Sequence, residues 1–134
     1  MILTDAGPII AIFDADDIGH AACVSALPIV VPRVTTWPCF AEAMYILRRE
    51  LGYPGQEALW QLHVTGQLTI HESDIAEQER MRTLMEEYRD IPMDLADASL
   101  VAAAEALNFR RVFTLDRHFY AYRTIAGQPI EIVP

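Results

Sequence analysis

The feature of this chain that most restricts its fold is an alternation of two periods. Short apolar runs, too short for helices and rich in β-branched side chains, are separated by longer stretches whose apolar residues recur every three or four positions. The runs are Ile2-Leu3-Thr4, Ile29-Val30-Val31-Pro32, Leu68-Thr69-Ile70-His71, Arg111-Val112-Phe113-Thr114-Leu115 and Ile130-Glu131-Ile132-Val133. Pro8 suits the first turn of a helix, so the first run is expected to turn into a helix at Asp5. A second helix is expected from Asp14, with Ile18, Ala22, Ser25 and Ala26 along it. A third opens at Trp37-Pro38, where Phe40, Met44, Leu47 and Leu51 fall at spacings of four, three and four. After a turn at Gly52-Tyr53-Pro54-Gly55, Ala58, Leu59 and Leu62 begin a fourth that ends near Gly66. Two more span Asp74 to Arg89 and Asp94 to Leu107, the latter uncharged from Ala98 to Ala104 and so expected to pack deeply. Strands separated by helices pair in parallel and have both faces covered. The expectation is one domain over residues 1–134, a three-layer α/β/α arrangement around a mainly parallel sheet.

Composition excludes several classes. Hydrophobic residues make up 52% of the chain and charged residues 22%, which is neither disordered nor collagen-like. No apolar run reaches the ~18 residues of a membrane span. The N-terminus Met1-Ile2-Leu3-Thr4-Asp5 lacks a basic segment, and Cys23 and Cys39 are too few for a disulfide scaffold, so a cytoplasmic protein is expected. The ten basic residues are all arginine, which removes Walker-type phosphate binding and Schiff-base chemistry. A net charge of −9 argues against a surface that coats nucleic acid broadly.

In open α/β sheets, ligands collect beyond the carboxyl ends of the strands. Asp5 follows the first run and Asp116 the fourth, while Glu42 and Asp97 lie early in apolar helices. A carboxylate in an apolar stretch is costly unless it is capped, paired or bound to a cation. Each acid taken alone has a capping explanation: Asp5 ahead of Pro8, and Asp94 with Asp97 as reciprocal partners. Glu42 is the exception, since no cation follows it until Arg48. If the four converge, their repulsion raises their pKa values unless a divalent ion neutralises them. All-oxygen ligation selects Mg²⁺ or Mn²⁺, and that chemistry suits phosphate esters.

Four segments carry a resemblance. Thr4-Asp5-Ala6-Gly7-Pro8-Ile9-Ile10-Ala11, Phe40-Ala41-Glu42-Ala43, Asp94-Leu95-Ala96-Asp97-Ala98-Ser99-Leu100-Val101-Ala102 and Thr114-Leu115-Asp116-Arg117-His118-Phe119 resemble, in order and spacing, the acidic motifs of PIN-domain nucleases, and most of all the VapC toxins of bacterial toxin–antitoxin pairs. The resemblance implies that Asp5, Glu42, Asp97 and Asp116 hold Mg²⁺ or Mn²⁺ and carry catalysis of RNA phosphodiester cleavage, leaving a 5′-phosphate and a 3′-hydroxyl. It implies that the Thr114 hydroxyl supports the metal shell, with Asp94 behind it in a less settled role. Ala6 stands where many members have Ser or Thr, so no hydroxyl is available there. It also implies a homodimer held inactive by an antitoxin whose tail fills the acidic groove. Such a tail should present a cation, most economically an arginine fork; the alternative is an apolar contact through positions such as Ile18 or Trp60. Against a charge of −9, RNA binding requires a local arginine rim, for which Arg117 with Arg48 or Arg49 is the candidate. Two other readings stay open: a PIN scaffold that binds without catalysis, and a processing nuclease with no toxin role.

Other constellations are weaker. His20-x-x-Cys23 is half of a zinc spacing without a second half. His118 beside Arg117 is a candidate for phosphate contact. Asp14-x-Asp16 resembles an aspartyl-phosphate motif, but it follows a helical pattern and its partner lysine is missing, as is the switch lysine of a receiver domain. Trp37, Trp60, Tyr120 and Tyr122 are candidates for base stacking, although helix packing accounts for the tryptophans more simply.

Overall fold

A computed structural model describes residues 1–134. Its five strands form one parallel sheet in the order β3-β2-β1-β4-β5: β1 is Ile2–Thr4, β2 Arg33–Thr36, β3 Leu68–His71, β4 Arg111–Phe113 and β5 Glu131–Val133. Helices α1 (Ala6–Phe13) and α2 (His20–Ala26) link β1 to β2, α3 (Trp37–Leu51) and α4 (Tyr53–Val64) link β2 to β3, and α5 (Ile75–Glu87) and α6 (Leu95–Leu107) link β3 to β4. None of these helices is long and apolar enough to cross a membrane.

The pleat sends neighbouring residues of a strand into opposite layers. Leu3, Val34 and Val112 join Leu84, Leu100 and Val101 under α5 and α6, whereas Ile2 and Phe113 join Ala11, Cys23 and Val30 under α1 and α2. A further cluster of Ile9, Phe40, Leu47, Leu59 and Leu68 fills the space among α1, α3, α4 and β3. This is the expected three-layer arrangement, and its order places a topological switch point between β1 and β4. The chain leaves β1 toward β2 and β3, then returns to the other side of β1 for β4 and β5. In such sheets the crevice at the switch point is where ligands bind.

Several boundaries differ from the sequence expectation. The second strand is Arg33–Thr36, not Ile29–Pro32. Of that earlier run only Val30 is buried, while Ile29 and Val31 face solvent, and the amides of Ile29 and Val30 turn back to the Ala26 carbonyl. The Arg33 guanidinium donates to the carbonyls of Leu27 and Val30, fixing the connection. Asp14 to Asp17 form turns closed by their own carboxylates, so α2 begins only at His20 and Ile18 is fully exposed. Such local side-chain bonds compete with helix formation. Conversely, Tyr53-Pro54-Gly55 belongs to the first turn of α4, where Pro54 lacks nothing by having no N–H. Gly52 adopts φ 71° between the two helices. Gly55 lies so close to α3 that a Cβ would stand 2.9 Å from that of Leu51 and 3.0 Å from the Leu47 carbonyl. The fourth strand ends at Phe113, two residues before its expected end, although the Thr114 amide still donates to the Val133 carbonyl of β5.

Candidate active site

Five carboxylates line one cleft of about 310 Å³ at the switch point: Asp5, Glu42, Asp94, Asp97 and Asp116, with Gly7 and Leu115 completing the wall. Asp5 ends β1 and caps α1. Its Oδ1 accepts from the Ala6 amide at 2.8 Å and its Oδ2 from the Thr114 hydroxyl at 2.8 Å, while its own amide donates to the Phe113 carbonyl of β4. Thr114 therefore works in two directions: its Oγ1 also accepts from the Asp116 amide at 3.0 Å, which holds the two strand-end acids in register. Asp116 in turn caps a short 3₁₀ turn, Arg117–Tyr120, by accepting from the His118 amide.

On the opposite wall, Asp94 caps α6 and forms the reciprocal capping box with Asp97 that the spacing predicts. Asp97 is buried, and its Oδ2 also accepts from the Tyr122 hydroxyl at 3.1 Å. Glu42 differs from expectation. It is on the exposed side of α3, so its place among apolar neighbours is explained by facing away from them rather than by burial. It nevertheless borders the same cleft.

The electrostatics follow from this crowding. Burial pushes the Asp97 carboxyl up to about 7, with the Asp94 charge adding to the effect. Burial likewise raises Asp5, although the Thr114 and Ala6 hydrogen bonds oppose the rise. Glu42 is raised by partial desolvation and then by the charges of Asp5, Asp94 and Asp116. No arginine or histidine lines the cleft to balance these acids. Such a donor set, all oxygen and short of positive charge, fits a hard divalent cation. No three Asp, Glu, His or Cys side chains are gathered tightly enough to enclose an ion between them. The fit is therefore to a cation that keeps much of its water and uses few protein oxygens, as Mg²⁺ does.

Other candidates fall elsewhere. Arg117 is exposed, free of ion pairs, and beside Asp116 in a neighbouring hollow with Tyr120 and Pro134. Arg48 and Arg49 sit in the last turn of α3, and Arg49 is tied to Glu50 at 2.9 Å. The His118 Nδ1 lies 3.3 Å from Asp116 Oδ1, so His118 attends a carboxylate. His20 Nδ1 meets the Ala11 carbonyl while Cys23 is buried, and Asp14 Oδ1 accepts from the Asp16 amide, so neither pair forms a site. Tyr122 is wholly buried and cannot stack on a base. Its real role, together with that of Thr36, escaped the sequence. The Thr36 hydroxyl bonds that of Ser99 at 2.6 Å, and Ser99 donates to the Ala96 carbonyl, joining the β2–α3 corner to α6.

This sheet and this cleft define a class of acidic-site α/β domain, and the chain belongs to the PIN domain family, whose profile matches residues 2–125. Over 135 aligned positions it is 27% identical to Ribonuclease VapC26 of Mycobacterium tuberculosis, covering 99% of this chain and 100% of that relative. The crystal structure of Mycobacterium tuberculosis VapC20, described as a sarcin-ricin loop cleaving toxin, matches with a TM-score of 0.86 at 17% identity, each chain covered in full. A toxin–antitoxin complex from Klebsiella pneumoniae matches with a TM-score of 0.71 at 19% identity, covering 100% of this chain and 97% of that one.

Proposed function

We propose that this PIN-domain protein is a divalent-metal-dependent endoribonuclease of the VapC type and the toxin of a toxin–antitoxin pair. The observation that carries the reading is the convergence of Asp5, Glu42, Asp97 and Asp116 on one cleft whose lining contains no arginine or histidine. The names of VapC26 and VapC20 support it from outside the chain. Asp5, Asp97, Glu42 and Asp116 would hold Mg²⁺ or Mn²⁺, directly or through water. A bound ion would supply what phosphodiester hydrolysis needs, charge neutralisation at the phosphate and water made nucleophilic near neutral pH.

The residues themselves have separable tasks. Thr114 orients the Asp5 carboxylate and pins the Asp116 backbone, so the strand-end acids face the cleft without rearrangement. Tyr122 and the Asp94 amide hold Asp97 in one rotamer. Arg117, exposed next to Asp116, offers the substrate backbone a positive charge on an otherwise acidic protein. An antitoxin tail entering the same cleft should bring an arginine, because two carboxylates without a cation form a bidentate acceptor. The likeness to the toxin–antitoxin complex from Klebsiella pneumoniae supports an antitoxin partner, and homodimerisation and a cytoplasmic location belong to the same proposal.

The test is RNA cleavage by the wild type and by Asp5→Asn, with Mg²⁺ or Mn²⁺ added. Cleavage by the first and at least a hundredfold less by the second is expected, a loss of about 3 kcal/mol in transition-state stabilisation. Equal activity in both would refute the assignment. No wild-type cleavage, together with no Mn²⁺ binding by calorimetry, would favour a scaffold that binds without catalysis.

A further inference from the structure

A second hollow, about 210 Å³, opens beyond the carboxyl ends of β2 and β3, and the acidic cleft makes no use of it. Buried Met81, half-exposed Leu95 and Trp37 supply its apolar lining. Trp37 is 43% exposed; its indole N–H donates to Glu72 Oε1 at 2.9 Å and its ring stands nearly perpendicular to that of Phe40, 5.6 Å between centroids. His71, Ser73 and Gln78 add polar groups to the lining, the Gln78 amide nitrogen donating to the Ser73 hydroxyl at 3.4 Å and its carbonyl oxygen remaining. The Glu77 carboxylate is occupied by His71 Nε2 at 2.7 Å.

This hollow and the acidic cleft share two helices. Along α3, Pro38 faces the hollow and Glu42, one turn further on, faces the cleft. The N-terminal end of α6 lines both, with Leu95 and Ser99 in the lining of the hollow and Asp94 and Asp97 in that of the cleft. The separation is thus about one helix width, roughly 10 Å. With no arginine in its lining and acids at its edge, the hollow does not suit a phosphate or an acidic peptide. A flat, uncharged group with hydrogen-bonding edges fits: a ring to lie against Trp37 while amide, hydroxyl and imidazole groups meet its rim.

We propose that the hollow takes an unstacked nucleobase of the RNA strand close to the scissile phosphate, with Trp37 as the stacking surface and His71 and Gln78 as the groups that choose the base. Single-stranded RNA is read in this way, by aromatic stacking combined with hydrogen bonds to base edges. The proposal rests on the nuclease reading above and adds a sequence-determining subsite to it.

The indole N–H signals in a nitrogen-15 correlation spectrum give a readout that does not depend on cleavage. The chain has two tryptophans, so Trp60→Phe leaves Trp37 alone. This variant, with Mg²⁺, is titrated with each of the four nucleoside 5′-monophosphates, which contain no internucleotide bond to cut, and with inorganic phosphate. The Trp37 signal should move with at least one nucleotide, to different extents among the four, and stay in place with phosphate. In parallel, Trp37→Ala should weaken binding of that nucleotide about tenfold, the scale of one base stacked on one ring, while Trp37→Phe restores most of it. With an RNA substrate, Trp37→Ala and Gln78→Ala should change the cleavage positions while Trp37→Phe keeps them. A Trp37 signal unmoved by every nucleotide, or moved alike by phosphate, overturns the subsite even if the wild type cleaves RNA. A signal moved only by a cognate antitoxin does the same and assigns the hollow to protein contact. Nucleotide-specific shifts in a protein that does not cleave would keep the base site and remove the nuclease reading instead.

Discussion

The Tyr122 hydroxyl donates to Asp97 Oδ2 at 3.1 Å, so a wholly buried ring beyond β4 touches the charged group of a carboxylate on α6. The bond favours the ionised form of Asp97 against the burial that opposes it. Tyr122→Phe removes only the donor. Urea denaturation well above the Asp97 pKa should show a loss of about 1.5–3 kcal/mol, the range for a hydrogen bond to a charged group. Well below that pKa the loss should be smaller. A cost that does not vary with pH would show that the two groups are not coupled.

Metal-free protein should lose stability as pH rises. Asp97 titrates at about 7 when folded against 3.8 when unperturbed, and Asp5 and Glu42 are also raised, so the folded state binds more protons than the unfolded one in that window. Stability contributed by these groups is therefore full below about pH 4 and is lost progressively toward pH 7. Millimolar Mg²⁺ should flatten this slope and raise Tm, because an ion bound only by the folded state stabilises it by mass action. Calorimetric scans across the window with and without Mg²⁺ check both halves; a Tm that climbs with pH and ignores Mg²⁺ would contradict the cation reading.

Asp97→Asn separates stability from activity. An asparagine can keep its carbonyl where Oδ2 accepts from Tyr122 and from the Asp94 amide, while the charge disappears. In the absence of metal and above pH 7, thermal melts should show a gain of about 0.5–2 kcal/mol, as expected when a strained functional charge is removed. The Mg²⁺-dependent rise in Tm should shrink and RNA cleavage should be lost. A clear destabilisation would mean that Asp97 is held by contacts that require its charge.

Thr114→Val should be more damaging than its size suggests. The hydroxyl gives a donor to Asp5 and an acceptor to the Asp116 amide, both in the cleft wall, and the isosteric valine leaves both partners wanting. A loss of about 1–3 kcal/mol is expected for the buried groups left unsatisfied. Thr114→Ser should recover most of the stability and the cleavage rate. If valine were tolerated and serine the more damaging, the methyl packing of Thr114 would be its role instead.

Much of this is legible in the sequence alone. Asp5, Asp97 and Asp116 stand out in the sequence because each occupies a junction, the end of a strand or the start of a helix, where the chain pattern itself says which way the side chain can face. Asp94 with Asp97 reads directly as a capping box because both partners lie within one turn. Thr36, Ser99 and Tyr122 were not legible in the same way: their partners lie 63 and 25 residues away, and local pattern carries no information about such bonds. The misplaced second strand has the opposite cause. Ile29-Val30-Val31 has strong β propensity, but Val30 alone finds a core to enter, and tertiary packing overrides the preference of its neighbours.

The bond from Thr114 to Asp5 spans 109 positions of the chain. During synthesis, the residue that begins the cleft leaves the ribosome long before the one that orients it, and Tyr122, which steadies Asp97, follows later still. A growing chain thus holds Asp5, Glu42 and Asp97 before Thr114 and Tyr122, the residues that orient two of them, have been made. The five acids therefore share one cleft only when little but the last strand, β5, remains to be delivered.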